Sequence, residues 1–140
     1  MIDIIIEEFR SLKLTQEDIE QNLLWLMSEA DKEESELLLI DFIKENIKAL
    51  NLEKVLIVAS DYGRLNLVKF LIEEKEVNVQ LEDNLPVKMA CKSMKFNTVN
   101  YLIENGANLD VKLINKYKKR LEQIKSHNLK LEKNNSKESA

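Results

Sequence analysis

Apolar residues recur at helical spacing along almost the whole chain. Ile2, Ile5, Ile6, Phe9 and Leu12 fall at i, i+3, i+4, i+7 and i+10, the stripe of one amphipathic helix. Lys13-Leu14 breaks the pattern, and Thr15-Gln-Glu-Asp18 reads as a capping-box variant that opens a second helix. That helix sets Ile19, Leu23, Leu26, Met27 and Ala30 on one face, with Trp25 expected in its core or against the third helix. Asp31 to Glu34 is a polar break, after which Ser35 is expected to cap a third helix. Ile40, Ile43, Ile47 and Leu50 form its stripe, widened by Leu39 and Phe42.

From residue 51 the elements shorten. Leu56 to Asp61 and Leu65 to Glu74 read as two brief helices, and Pro86 to Ser93 and Phe96 to Asn105 repeat the pair. Between them, Glu76 to Asn84 is expected to be extended, because Val77 and Val79 alternate with Asn78 and Gln80. Gly106 ends the fourth short helix where a left-handed residue is favoured. A last helix over 111–127 carries Leu113, Tyr117, Leu121 and Ile124 on one face, and residues 128–140 are expected to be a disordered tail.

The paired short helices are self-similar. Val58-Ala-Ser-Asp-Tyr-Gly-Arg-Leu-Asn-Leu-Val-Lys-Phe-Leu-Ile-Glu73 aligns without a gap with Met89-Ala-Cys-Lys-Ser-Met-Lys-Phe-Asn-Thr-Val-Asn-Tyr-Leu-Ile-Glu104. Ala59 matches Ala90, Val68 matches Val99, Leu71-Ile72-Glu73 matches Leu102-Ile103-Glu104, and Arg64 aligns with Lys95. Small Ala59 and Ala90 let the two helices of a unit approach closely, and Gly63 supplies a positive φ at the turn. This pattern resembles the ankyrin repeat, on Ala59 to Glu73, Leu85-Pro-Val-Lys-Met-Ala90 and Tyr101-Leu-Ile-Glu-Asn-Gly-Ala-Asn108. The departures are Leu85-Pro86-Val87-Lys88 for the family's Thr-Pro-Leu-His opening, Met94 for the turn glycine and Lys75 for the terminal one.

The resemblance covers residues 52–110 and implies an all-α fold, a short ankyrin-type helical solenoid. Residues 16–48 fit either a degenerate upstream unit or plain helices, since Ile40-Asp-Phe-Ile-Lys-Glu45 echoes Val68 to Glu73. Two units cannot bury their apolar faces alone, so residues 1–50 and 111–127 are read as caps of one domain, 1–127. The resemblance also implies protein binding through loop tips and the concave face of the first helices. By position those residues are Val58, Asp61 and Tyr62, then Met89, Lys92 and Ser93, with Gln80, Glu82, Asp83 and Asn84 in the loop.

Composition narrows the chemistry. Two Gly, one Pro, one Cys and one His in 140 residues leave no room for Gly-rich phosphate loops, disulfides or His-Cys metal clusters. No catalytic, cofactor-binding or metal-binding residue is assigned, no cofactor is expected, and the chain is read as a non-enzyme. Cys91 reads as a small buried residue and His127 as a solvated helix-end side chain. No apolar run reaches a membrane span, and Met1-Ile-Asp-Ile-Ile-Ile-Glu-Glu lacks a secretion signal's basic flank, so a cytoplasmic, reducing setting is expected.

The net charge of −4 is uneven, being −8 over residues 1–50, −2 over 51–110 and +6 over 111–140. Glu29, Asp31, Glu33, Glu34 and Glu36 form an acidic run without calcium-loop spacing. Lys112, Lys116, Lys118, Lys119, Arg120 and Lys125 form a basic run with one aromatic, Tyr117, a poor match to nucleic-acid binding. The expected function is a protein-binding inhibitor, adaptor or host-directed effector, the last suggested by Ile-, Asn- and Lys-rich composition. The alternative is that residues 1–50 bind a basic partner or drive homo-oligomerisation, through the Ile2, Ile5, Ile6 and Phe9 stripe, with the repeats as scaffold.

Overall fold

The computed structural model describes Ile4 and residues 15–138. Seven helices occupy the described residues, with no strand: α1 (Gln16–Glu29), α2 (Glu33–Glu45), α3 (Leu52–Tyr62), α4 (Leu65–Lys69), α5 (Leu81–Lys92), α6 (Phe96–Glu104) and α7 (Val111–Glu138). A 3₁₀ turn, Ile47–Ala49, follows α2, and a π turn, Phe70–Glu74, continues α4. The stripe on Ile2, Ile5, Ile6, Phe9 and Leu12 lies outside the described residues.

The helices stack in two layers. The first helix of each pair packs on the next, α1 on α3 and α3 on α5, while the second helices run α2 on α4 and α4 on α6. The second layer shows the same buried positions three times. Leu39, Ile40, Phe42 and Ile43 recur in the next pair as Leu67, Val68, Phe70 and Leu71, and Val99 and Leu102 repeat Val68 and Leu71 in the pair after that. Residues 16–45 are therefore a third unit of the same kind, a point the sequence left open.

The turn within each unit is reproduced in its backbone. The Arg64 N–H donates to the Ala59 carbonyl and the Lys95 N–H to the Ala90 carbonyl, both at 2.9 Å. Gly63 and Met94, which are equivalent in the repeat, both take left-handed φ, 69° and 60°. Ala59 and Ala90 are fully buried, as close approach of the helices requires.

Polar side chains join the units where helix ends leave backbone groups unpaired. Arg64 donates from Nε to the Met27 carbonyl at 2.8 Å and from Nη2 to that of Ser28 at 3.0 Å, finishing the end of α1. Glu36, 8% exposed, accepts from the Leu67 N–H at 3.0 Å and from Asn66 Nδ2 at 3.1 Å. Leu67 is the third residue of α4, whose N-cap Arg64 makes no side-chain cap bond, so the carboxylate of one unit caps the helix of the next.

Several boundaries differ from the sequence pattern. Thr15 and Asp18 do form a reciprocal capping box. Ser35, however, caps nothing: α2 starts earlier, after Lys32, with Glu33, Glu34 and Glu36 in a first turn that favours negative charge. It ends at Glu45, so Ile47 and Leu50 leave the helix and are half-buried. Asn51 caps α3, accepting from the Glu53 and Lys54 N–H groups, and so starts that helix before Leu56.

Glu76 to Asn84 is not an extended strand. Val79-Gln80 turns, and Glu82, Asp83 and Asn84 hold left-handed φ of 48°, 56° and 61° ahead of the regular turns of α5. Alternating valines misled here because Val79 and Leu81 anchor a compact loop, both being buried. Trp25 is 43% exposed rather than core, because it falls beside the Ile19–Leu23–Leu26 stripe. The glycine position at the end of the first recognised pair is taken by Glu76, φ 55°, not Lys75. One extra residue in the π turn, where the Lys75 N–H reaches back to Phe70, causes that shift.

One compact unit of the chain ends at Asn108, and a second begins at Leu109. α7 continues to Glu138, over residues expected to be a disordered tail. No Gly or Pro follows Gly106, and Lys-, Glu- and Leu-rich sequence propagates a helix readily.

Two stability tests follow from these contacts. Glu36→Ala leaves the buried Leu67 N–H unpaired and is expected to lower unfolding free energy by about 1–3 kcal/mol in denaturant titrations. Met94→Gly is expected to raise stability by roughly 1 kcal/mol, and Gly63→Met to lower it by at least as much. The second change also brings a Cβ to 2.7 Å from the Lys95 side chain. Equal signs for that pair would show that the two turns are not equivalent.

Candidate functional site

The first-helix layer carries a groove of about 290 Å³ between α1 and the start of α3. Gln21, Leu23 and Leu24 form one wall, and Leu50, Lys54, Val55 and Val58 the other. Helical spacing explains the second wall, since residues 51, 54, 55 and 58 share one side of α3. Leu24, 51% exposed, and Trp25 leave a large apolar surface on α1 outside its buried stripe.

The positions expected to bind a partner separate into two groups. Val58 lines the groove. Tyr62 and Met89 are half-buried, with the Arg64 guanidinium 5.9 Å from the Tyr62 ring centre, and Lys92 is exposed. Asp61 and Ser93 are instead bonded to each other, the Ser93 hydroxyl donating to the carboxylate, which ties α3 to α5.

The loop residues are mostly occupied as well. Gln80 Nε2 donates to the Gly106 carbonyl at 2.7 Å, and Asn84 Oδ1 accepts from the Asn108 N–H at 2.9 Å. Asp83 pairs with Lys88 at 3.1 Å, while Glu82 is exposed. Gln80 and Asn84 therefore hold the end of the third unit against the loop before it. Of the expected set, Val58, Tyr62, Met89, Lys92, Gln80, Glu82 and Asp83 have surface to offer, the Asp83 side chain being 92% exposed although it is paired.

Leu24, Leu50 and Lys54 were missed in the sequence. Leu24 carried a readable signal, as an apolar residue on the polar side of its own helix. Leu50 carried none, because its place in the wall depends on α2 ending before it.

The second-helix layer holds a tyrosine whose buried hydroxyl has a raised pKa. Tyr101 Oη is buried and lies beside the Glu73 carboxylate without reaching hydrogen-bond geometry to any described residue. Burial, and after it the Glu73 carboxylate, push its pKa up to about 12 from 10.0. Lys69 sits over the ring, 5.6 Å from its centre.

The chain belongs to the ankyrin repeat family: the family model described as Ankyrin repeats (3 copies) matches residues 17–112, which takes in all three helical pairs. No curated protein and no solved structure matches the chain significantly. Ankyrin repeats are generally protein–protein interaction modules, and the family is typically non-catalytic. No helix among the described residues is long and apolar enough to cross a membrane.

The raised Tyr101 pKa sets a pH dependence. Between about 10 and 12 the unfolded chain loses this proton while the folded chain keeps it, so the contribution present below pH 10 is lost as pH rises through that window. Tyrosinate absorbance is expected to show one late step, and Tyr101→Phe to remove it. A late step that survives the substitution would assign it to another tyrosine.

Proposed function

We propose that this chain captures another protein on its first-helix layer, as a non-catalytic inhibitor, adaptor or host-directed effector working in the cytoplasm of the producing cell or of a host. The observation that carries this reading is the open apolar groove between α1 and α3, bordered by the exposed Leu24. Apolar anchors in such a groove supply most of the binding energy of an interface, while a charged rim supplies specificity. Val58 forms part of the anchor site, with Tyr62, Met89 and Lys92 extending it along α3 and α5 and Glu82 at the loop tip. The bonds made by Asp61, Ser93, Gln80 and Asn84 give that surface a rigid frame, which lowers the ordering cost on binding.

A second reading gives residues 1–50 the active part, by binding a basic partner or by homo-oligomerisation. Leu24, Trp25 and the exposed Glu29, Asp31, Glu33 and Glu34 favour it, since all belong to that stretch.

Both readings are separated by one experiment. The chain and its Tyr62→Ala/Met89→Ala/Lys92→Ala variant are used as baits in extracts of the producing cell and of its host, and the retained proteins are identified. Retention of the partner is expected to fall at least about tenfold in the variant. Retention that persists in the variant but fails with Glu29→Gln/Asp31→Asn/Glu33→Gln/Glu34→Gln would place the interface within residues 1–50.

A further inference from the structure

The second compact unit, from Leu109 onward, holds one helix and no other element among the described residues. α7 is 28 residues long. At 1.5 Å per residue that is about 42 Å, and nothing within its own unit packs on it. A helix of this length without Gly or Pro, along which one apolar pattern persists, has the form of a coiled-coil strand.

The pattern alternates strictly between three and four. Ile114, Tyr117, Leu121, Ile124, Asn128 and Leu131 follow at spacings of 3, 4, 3, 4 and 3, the a and d positions of a heptad. Five of the six are apolar, and the sixth, at an a position, is Asn128. Such a repeat marks a narrow seam for one facing helix, narrower than the apolar face of a core or membrane-surface helix. Among the α7 side chains described, Leu113, Ile114 and Tyr117 are half-buried, and all others, those at b, c and f included, are exposed.

The positions beside the seam carry mostly one sign. Lys118 and Lys125 fall at e and Arg120 at g, with His127 and Glu132 following at g and e. Residues 111–127 hold six basic side chains and one acidic, Glu122, which falls at b, away from the seam. A second copy in parallel register would set Arg120 of one chain against Lys125 of the other, which opposes pairing. A helix with Glu at e and g meets Lys118, Arg120 and Lys125 with opposite charge instead. A single Asn at an a position selects two parallel strands with Asn facing Asn, because an apolar residue opposite leaves its amide unpaired.

We propose that α7 is one strand of a two-stranded parallel coiled coil whose other strand is an acidic heptad helix of a partner protein. That helix presents apolar residues at a and d, an Asn opposite Asn128, and Glu or Asp at e and g. The site lies in a different unit from the first-helix groove and does not rest on what that groove binds.

The test uses the full chain and a fluorescent heptad peptide with Ile at a, Leu at d, Glu at e and g, and one Asn placed to face Asn128. Binding is followed by anisotropy and by the gain in helicity, with melting temperatures checked for each variant. Leu121→Ser/Ile124→Ser and the triple change Lys118→Gln/Arg120→Gln/Lys125→Gln are each expected to weaken binding about tenfold or more. The matched triple change Lys112→Gln/Lys116→Gln/Lys119→Gln, at f and c positions, is expected to change it by less than about threefold. A peptide with Ile in place of its Asn is expected to bind about fivefold or more weaker, and Asn128→Ile to reverse that order. Absence of binding to the unaltered chain, or equal binding of the two peptides, would overturn the proposal. Equal loss in the two triple variants would mean bulk charge attraction only, and would overturn it too. A dimer of the chain that the peptide cannot displace would assign the seam to a second copy instead. Displacement of the peptide by phosphatidylserine vesicles, lost in Leu121→Ser/Ile124→Ser, would make α7 a membrane-surface helix and overturn the coiled coil.

Discussion

No helical pair in this chain can bury its apolar side alone, and the whole architecture answers that constraint. Leu39, Ile43, Leu56, Leu67, Leu71 and Leu102 lose all solvent contact only because the neighbouring unit covers them. Each such side chain contributes about 1.5–3 kcal/mol on burial, comparable with one charged contact between units, and the six together outweigh those contacts. The repeat register is therefore set by apolar stacking. Polar contacts such as those of Glu36 and Arg64 then satisfy the backbone groups that stacking would otherwise leave unpaired.

This division of labour explains how the array tolerates irregular units. The step from Leu39 to Leu67 is shorter than that from Val68 to Val99, yet the buried positions stay in line. The extra residue after Phe70 is taken up as a π turn instead of displacing Leu71 from the core. Non-glycine residues then occupy left-handed positions at Glu76 and Met94, at about 1–2 kcal/mol each, and the stacked core holds them there.

The surfaces available for recognition arise where a helix carries an apolar residue off its buried stripe. Leu24 and Trp25 do so in the first-helix layer, and Leu37 and Ile103 in the second. The groove lies at the junction between the most upstream pair and the next, where the two helical pairs differ most in length. Four polar residues expected from the repeat resemblance to face a partner, by contrast, are bonded across units and shape the surface. Asp61, Ser93, Gln80 and Asn84 are of this kind.

By itself the sequence determined the helical class, the short tandem pairs, the capping box at Thr15 and the turn at Gly63, because each depends on residues a few positions apart. Periodicity and cap chemistry are local, so they can be read along the chain. Tertiary structure alone decided that Glu76 takes the glycine position and that Leu24, Leu50 and Val58 meet in one groove. Those outcomes rest on which surfaces are covered once the pairs stack. A residue's covering partner lies a whole repeat away, as for Glu36 with Leu67 or Arg64 with Met27, beyond the reach of any local pattern.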